Sequence, residues 1–346
     1  MRTTRIRRVL GSGRWRTLRA GAAALAAVGA AGVVAPAVAS ASPQQAPNWT
    51  EQAPAASPPA LLDASMAYDA ATGKVVVFGG GTRSDGLSGH TWTWNGTTWI
   101  QNHPATSPPA RDGATMAYDA ATGTVVLFGG YNGSSIANDT WTWNGTTWTQ
   151  QQPATSPPAR DGATMAYDAA SHTVVLFGGS GAAGYLNDTW TWNGTTWTQQ
   201  QPSASPPGRD FGSMAFDVAS HTVLLFGGQT EHGSIGDTWT WNGTTWTKHP
   251  LTATSPPGRD LAYMAYDAAT STVVLFGGNS NGGPFDDTWT WDGTTWTEQD
   301  PATSPGARWD GLMAYDAATR TLVLFGGLAP LQIYYVLYLN DTWTWG

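Results

Sequence analysis

The sequence predicts an all-β fold, a six-bladed β-propeller, on three observations. One segment recurs six times, at intervals of 49 or 50 residues, from about Ser57 to the C-terminus. Each copy holds four short apolar runs separated by turn residues, the content of one four-stranded blade. The sixth copy stops before its fourth run, and the missing run stands at the other end of the repeat region.

The second copy shows the elements in order. A first strand runs from Arg111-Asp112 to Tyr118 and ends in Asp119-Ala120-Ala121-Thr122-Gly123, a turn whose glycine takes positive φ. The second, Thr124 to Phe128, is a continuous apolar run closed by Gly129-Gly130, as expected of a strand covered on both faces. The third runs from Asp139 to Trp143. Asn144-Gly145 then reads as a two-residue hairpin turn, with a fourth strand from Thr146. That turn sets Trp143 against Thr146, Thr142 against Thr147 and Trp141 against Trp148, with the three tryptophans on one face. The set recurs as Trp92/Trp94/Trp99, Trp190/Trp192/Trp197, Trp239/Trp241/Trp246 and Trp289/Trp291/Trp296. Packing between blades is one reading of these indoles, and a platform for stacking sugars is another.

The sixth copy ends at Asn340-Asp341-Thr342-Trp343-Thr344-Trp345-Gly346. Asn48-Trp49-Thr50-Glu51-Gln52 and the linker after it match Thr295-Trp296-Thr297-Glu298-Gln299 and the linker after that. A strand from the N-terminal side therefore completes the last blade and joins the two ends of the ring, giving six whole blades. The expected organisation is a leader over 1–41, a closing strand and linker over 42–56, and the blades over 57–346, one domain together with 48–56.

The leader carries arginines at 2, 5, 7, 8, 14, 16 and 19, then an Ala/Gly/Val-rich stretch from Ala20 to Val38, then Ala39-Ser40-Ala41. This is the pattern of a bacterial secretory signal peptide cut near Ala41. Whether export is general or twin-arginine stays open. Cleavage would remove seven of the sixteen basic residues and none of the twenty-four acidic ones, leaving nine against twenty-four, a net charge of −15. A surface of that sign disfavours nucleic acid and anionic membranes as partners. The chain has no cysteine, so no disulfide framework supports it. The expectation is a secreted monomer that does not insert into a membrane.

Gly79-Gly80, Gly129-Gly130, Gly178-Gly179, Gly227-Gly228, Gly277-Gly278 and Gly326-Gly327 each follow an apolar strand and precede paired aromatics. With the period, these doublets resemble kelch repeats over residues 48–346. The spacing departs from the kelch pattern, since only four residues separate Trp94 from Trp99. The resemblance implies a binding or interaction scaffold. It also implies that the arginine opening the first strand lies near the central channel, within reach of an acidic ligand. Kelch-type galactose oxidases use a cysteine-linked tyrosine and copper, and a chain without cysteine excludes that activity.

That arginine recurs at 111, 160, 209, 259 and 308, with Leu61 in its place in blade one. Five guanidiniums around one opening would form a basic funnel for carboxylates or acidic sugars. Alternatively, each arginine pairs with its neighbour Asp112, Asp161, Asp210 or Asp260, or with a backbone carbonyl. Symmetry breaks most in blades four to six. Phe211 replaces the equivalent of Gly113, Tyr263 that of Thr115, and Trp309 that of Asp112. The candidate ligand-binding set at the channel mouth is therefore Arg209, Phe211, Arg259, Tyr263, Arg308, Trp309 and Asp310. Drift among duplicated core positions is the competing account. Between the second and third strands of blade six stand twelve mostly apolar residues, Leu328 to Leu339, read as a contact surface, a lid or an extra strand.

The function expected is binding of a glycan or protein ligand at the channel mouth. The alternative is an extracellular carbohydrate-active enzyme, a hydrolase or lyase, whose acids would be Asp63 and Asp310, the two carboxyls in the Gly113 column. No histidine cluster has metal spacing, no nucleophile or phosphate-loop motif occurs, and neither cofactor nor metal is expected.

Overall fold

The structure, a computed structural model, describes residues 46–346 except 85, 333 and 334; the predicted leader lies outside the described residues. Six four-stranded antiparallel sheets make up the ring. Blade two runs outward as Thr115–Asp119, Thr124–Phe128, Thr140–Trp143 and Trp148–Gln151. Innermost strands of successive blades pack against one another, and that of blade six, Leu312–Asp316, packs against that of blade one, Ser65–Asp69. No helix among the described residues is long and apolar enough to cross a membrane.

Blade six is completed by Trp49–Gln52, paired antiparallel with the end of Tyr335–Trp345 from Trp49↔Trp345 to Gln52↔Thr342. Asn48 and Gly346 exchange backbone hydrogen bonds at 3.3 and 3.4 Å, where the other blades have a turn. The ring thus closes without leaving the apolar edge of Tyr335–Trp345 bare along those four residues.

The second strands read as unbroken apolar runs because each lies between two neighbouring blades. Val126 and Phe128 pack toward blade three, whereas Val125 and Leu127 pack toward blade one. Each side chain so buried contributes about 1.5–3 kcal/mol relative to exposure.

The outer hairpin differs from the sequence expectation. Trp143 pairs with Trp148, Thr142 with Thr149 and Trp141 with Gln150, so the turn spans four residues, 144–147, and the fourth strand starts at Trp148. Asn144 is the cause. Its Oδ1 accepts the N–H groups of Thr146 and Thr147 and the Thr146 hydroxyl, at 2.9–3.1 Å, an Asx-type turn that competes with the two-residue turn. The tryptophans still share a face, and it is turned to the preceding blade. In blade two the Trp148 ring lies 5.2 Å from Phe78, and its Nε1–H donates to Thr91 Oγ1 at 2.9 Å. The same bond joins every blade to the one before it, at 2.9–3.0 Å, including Trp99 to Thr342 and Trp49 to Thr288 across the two junctions of blade six. The second and third tryptophans of each blade are at most 4 % exposed. They hold blades together and themselves offer no face on which a sugar could stack, while the first tryptophans are half-buried at Trp92, Trp141 and Trp343 and buried in the other blades.

Candidate functional site

One residue per blade precedes the innermost strand with positive φ: Asp63, Gly113, Gly162, Phe211, Leu261 and Asp310, at 48–62°. In each of the last five, the N–H donates to the carbonyl of the counterpart in the preceding blade, at 2.8–3.1 Å. At the sixth junction Asp63 N–H donates instead to Asp310 Oδ1, at 2.9 Å. A girdle of hydrogen bonds thus circles the axis, and a side chain closes it. Below it lies a channel cavity of about 190 Å³, lined by this ring and the next three residues of each blade.

None of the five arginines lines this opening, so the expected basic funnel is absent and the placement of Arg209, Arg259 and Arg308 among the ligand-binding residues is corrected. Arg111, Arg160, Arg209, Arg259 and Arg308 are at most 4 % exposed. Each guanidinium meets the aspartate that opens the third strand of its own blade: Asp139, Asp188, Asp237, Asp287 and Asp341, at 2.5–2.8 Å. Four of these pairs are bidentate. Backbone carbonyls take further donors, such as Pro109 and Gly129 around Arg111. Burial alone would raise the pKa of Asp139, Asp188 and Asp237, but the hydrogen bonds and charge of the arginine outweigh it and hold them below the ordinary carboxylate value. The partner is thus not the adjacent aspartate. Blade one carries Leu61 and His90 at the two positions, so it lacks both charges together. Trp92 Nε1, whose counterparts donate to those aspartates, has no partner there.

Tyr263 is 2 % exposed and fills the seam between blades five and six. A β-carbon on Gly311 or Gly327 would overlap its ring or hydroxyl, so the glycines and the tyrosine belong together. It is a packing residue: its position lies in the cavity lining, but its ring is buried in the seam and offers almost no surface to a ligand. Trp309 exchanges backbone hydrogen bonds with Leu328, at 2.7 and 3.0 Å, and lies outside the cavity lining. Phe211 and Asp310 do line the cavity, together with Asp63 and Leu261, which the candidate set omitted.

The mouth is acidic. Asp112, Asp161, Asp210 and Asp260 stand beside the girdle in four consecutive blades, and Asp63 and Asp310 sit within it. Asp210 feels the charge of Asp63, three blades away, as well as that of Asp161 and Asp260. Burial, reinforced by Asp161, pushes Asp210 up to about 7, and burial raises Asp112, Asp161 and Asp260. One oxygen each of Asp161 and Asp210 is buried with no hydrogen-bond partner. Asp63 and Asp310 are hydrogen-bonded side by side. Burial first, and then their mutual repulsion, hold Asp310 well above the usual range, while Asp63 lies at about 6, so the pair retains a proton. Two touching carboxyls leave no room for a glycosidic bond between them, which needs about 5 Å or more.

In the sequence Asp112, Asp161, Asp210 and Asp260 stood out only as possible partners of the adjacent arginines, and nothing local to them signalled the mouth. The clue was the joint loss of arginine and third-strand aspartate in blade one. A second cavity of about 980 Å³ lies on the rim of blades three and four, with Tyr185, Pro207, Ile235 and Leu251 as apolar walls and His232, Asp237 and Lys248 as polar ones.

Comparison with curated proteins finds no match. A family model described as the KLHDC2/KLHL20/DRC7 Kelch-repeats domain matches residues 146–247, from the outer hairpin of blade two to that of blade four. The glycine doublet, the buried arginine and the indole bridges of the matched blades recur in the others, with the arginine missing from blade one alone, so the partial match and this six-blade ring together support a β-propeller of kelch type.

Proposed function

We propose that this chain is an exported interaction module whose channel mouth binds a positively charged group on a protein ligand, such as clustered lysine and arginine side chains. A kelch propeller is a protein-interaction scaffold, and the charge of the mouth supplies the rest of the reading. The observation that carries it is the sequestration of all five arginines, which leaves Asp112, Asp161, Asp210 and Asp260 without a compensating cation at the opening. A ligand ammonium or guanidinium would supply the partner that Asp161 and Asp210 lack. Phe211 and Leu261 offer an apolar edge for the stem of such a side chain. A glycan has less to hold at the mouth, since Tyr263 and the second and third tryptophans of every blade are buried. The enzyme alternative loses its pair of separated acids.

The test is fluorescence anisotropy of a labelled hexalysine peptide with residues 42–346. Affinity is expected to strengthen from pH 5 to pH 8 as the raised carboxyls ionise, to weaken with salt, and to fall at least ~10-fold when Asp112, Asp161, Asp210 and Asp260 are all changed to Asn. Binding that ignores these changes sinks the reading. If it is lost in Tyr185→Ala/Leu251→Ala instead, the site is the rim cavity, and a positive glycan array with no peptide binding would return the ligand to the sugars.

A further inference from the structure

The second and third strands of blade six, Thr321–Gln332 and Tyr335–Trp345, are 12 and 11 residues long, against five and four in the other blades. They continue as a two-stranded ribbon past Thr342, where pairing with Trp49–Gln52 ends. Along 335–341 no strand among the described residues occupies the outer edge. Tyr335, Val336 and Leu337 are 64, 37 and 46 % exposed. Consecutive residues point to opposite faces, so both faces of the ribbon meet solvent. Of the nine large apolar residues exposed among the described residues, four sit here, with Leu331 as the fourth. Edges of this kind are normally guarded by charge or proline. Pro330 guards the edge of Thr321–Gln332. No charge or proline guards the other edge from Tyr335 to Asn340. The base of the ribbon is held, with the Arg83 guanidinium 5.7 Å from the Tyr338 ring and Leu328 bonded to Trp309.

We propose that this edge is an interface with a second copy of the same chain. Two ribbons pair antiparallel along Tyr335–Asn340 about a two-fold axis and make one four-stranded sheet. An antiparallel strand can meet itself about such an axis, and Tyr335, Val336, Leu337, Tyr338 and Leu339 supply an apolar set that complements itself. Charge supports the same occupant. Residues 42–346 carry a net charge of −15, so two copies repel wherever their charged surfaces meet, whereas this ribbon brings none. The expected monomer is thereby replaced by a weak, concentration-dependent dimer, because two short ribbons bury less than a standard interface.

Light scattering on residues 42–346, which contain the whole ring, tests this from about 1 μM to about 1 mM, the span in which weak complexes form. The mass is expected to climb toward twice the monomer. Val336→Lys/Leu337→Lys should stay monomeric at every concentration, and Ile100→Lys, equally exposed on another strand, should behave as the unmodified protein. A covalent readout does not depend on the lysine variants folding. The chain has no cysteine, so Leu337→Cys, near the middle of the paired stretch, should give a disulfide-linked dimer under mild oxidation while Ile100→Cys does not. A monomer throughout, or a dimer that both lysine variants retain, overturns the proposal. So does a monomer that binds neutral phosphatidylcholine vesicles through Val336 and Leu337, an outcome that would make the ribbon a lipid contact.

Discussion

Each buried guanidinium of blades two to six has its charge answered by the aspartate that opens the third strand of the same blade, 28 to 33 residues along the chain. Removing one partner leaves the other charged and desolvated. Arg160→Ala should therefore cost about 3–5 kcal/mol in urea unfolding. Arg160→Leu with Asp188→His, the pair blade one uses at these positions, should recover most of that loss. Tyr263 and Gly311 form a second matched pair. Gly311→Ala forces the tyrosine ring aside and should cost about 1–3 kcal/mol, and adding Tyr263→Thr, as in blade two, should relieve it; equal destabilisation in single and double variants would contradict the clash. Both pairs show why the site was harder to read than the ring. Arg111 stands beside Asp112 in the sequence, yet an extended chain turns adjacent side chains apart, and the true partner arrives from two strands away. Tyr263 and Trp309 stood out as departures from the repeat; packing accounts for the tyrosine, whereas Trp309 makes the same backbone bridge as the aspartates it replaces, so nothing in that bridge explains the change.

At the scale of elements, periodicity and apolar runs were reliable because each second strand is squeezed between two blades. The run Thr124 to Phe128 is a strand over those same residues. The outer hairpin was misread because Asn-Gly serves two turn types, and the two threonines that follow decide between them by donating back to the asparagine. Asn144→Ala removes three hydrogen bonds from an exposed turn and should lower stability by about 1 kcal/mol. Asn144→Asp should be tolerated, since Asp292 makes the same bonds in blade five. Thermal melts of both variants check the pair. The closing strand was legible because it repeats a motif seen five times elsewhere, complete with its tryptophan.

For the whole molecule, the girdle and mouth tie stability to pH. Asp63 and Asp210 have folded values of about 6 and about 7, above the ~3.9 of an unfolded aspartate. Groups raised by folding support the fold fully below ~pH 4, and that support is lost as pH rises through 6 and 7. Asp139, Asp188 and Asp237 are lowered, so their support is present above ~pH 4 and is lost on further acidification. The melting temperature should therefore fall from pH 5 to pH 8, and Asp63→Asn with Asp210→Asn should flatten the decline. A melting temperature that rises through this window in the unmodified protein would count against the protonated mouth.

The meeting of Asn48 with Gly346 has a different consequence. The two residues already hold each other where every other blade has a four-residue turn, so a short peptide between them would restore the common hairpin and make the backbone circular. New termini opened at any of the five remaining outer hairpins would then yield a cyclic permutant with the same six sheets. To such a ring the order in which its blades are translated matters little, and the native starting point is one of six equivalent places to cut.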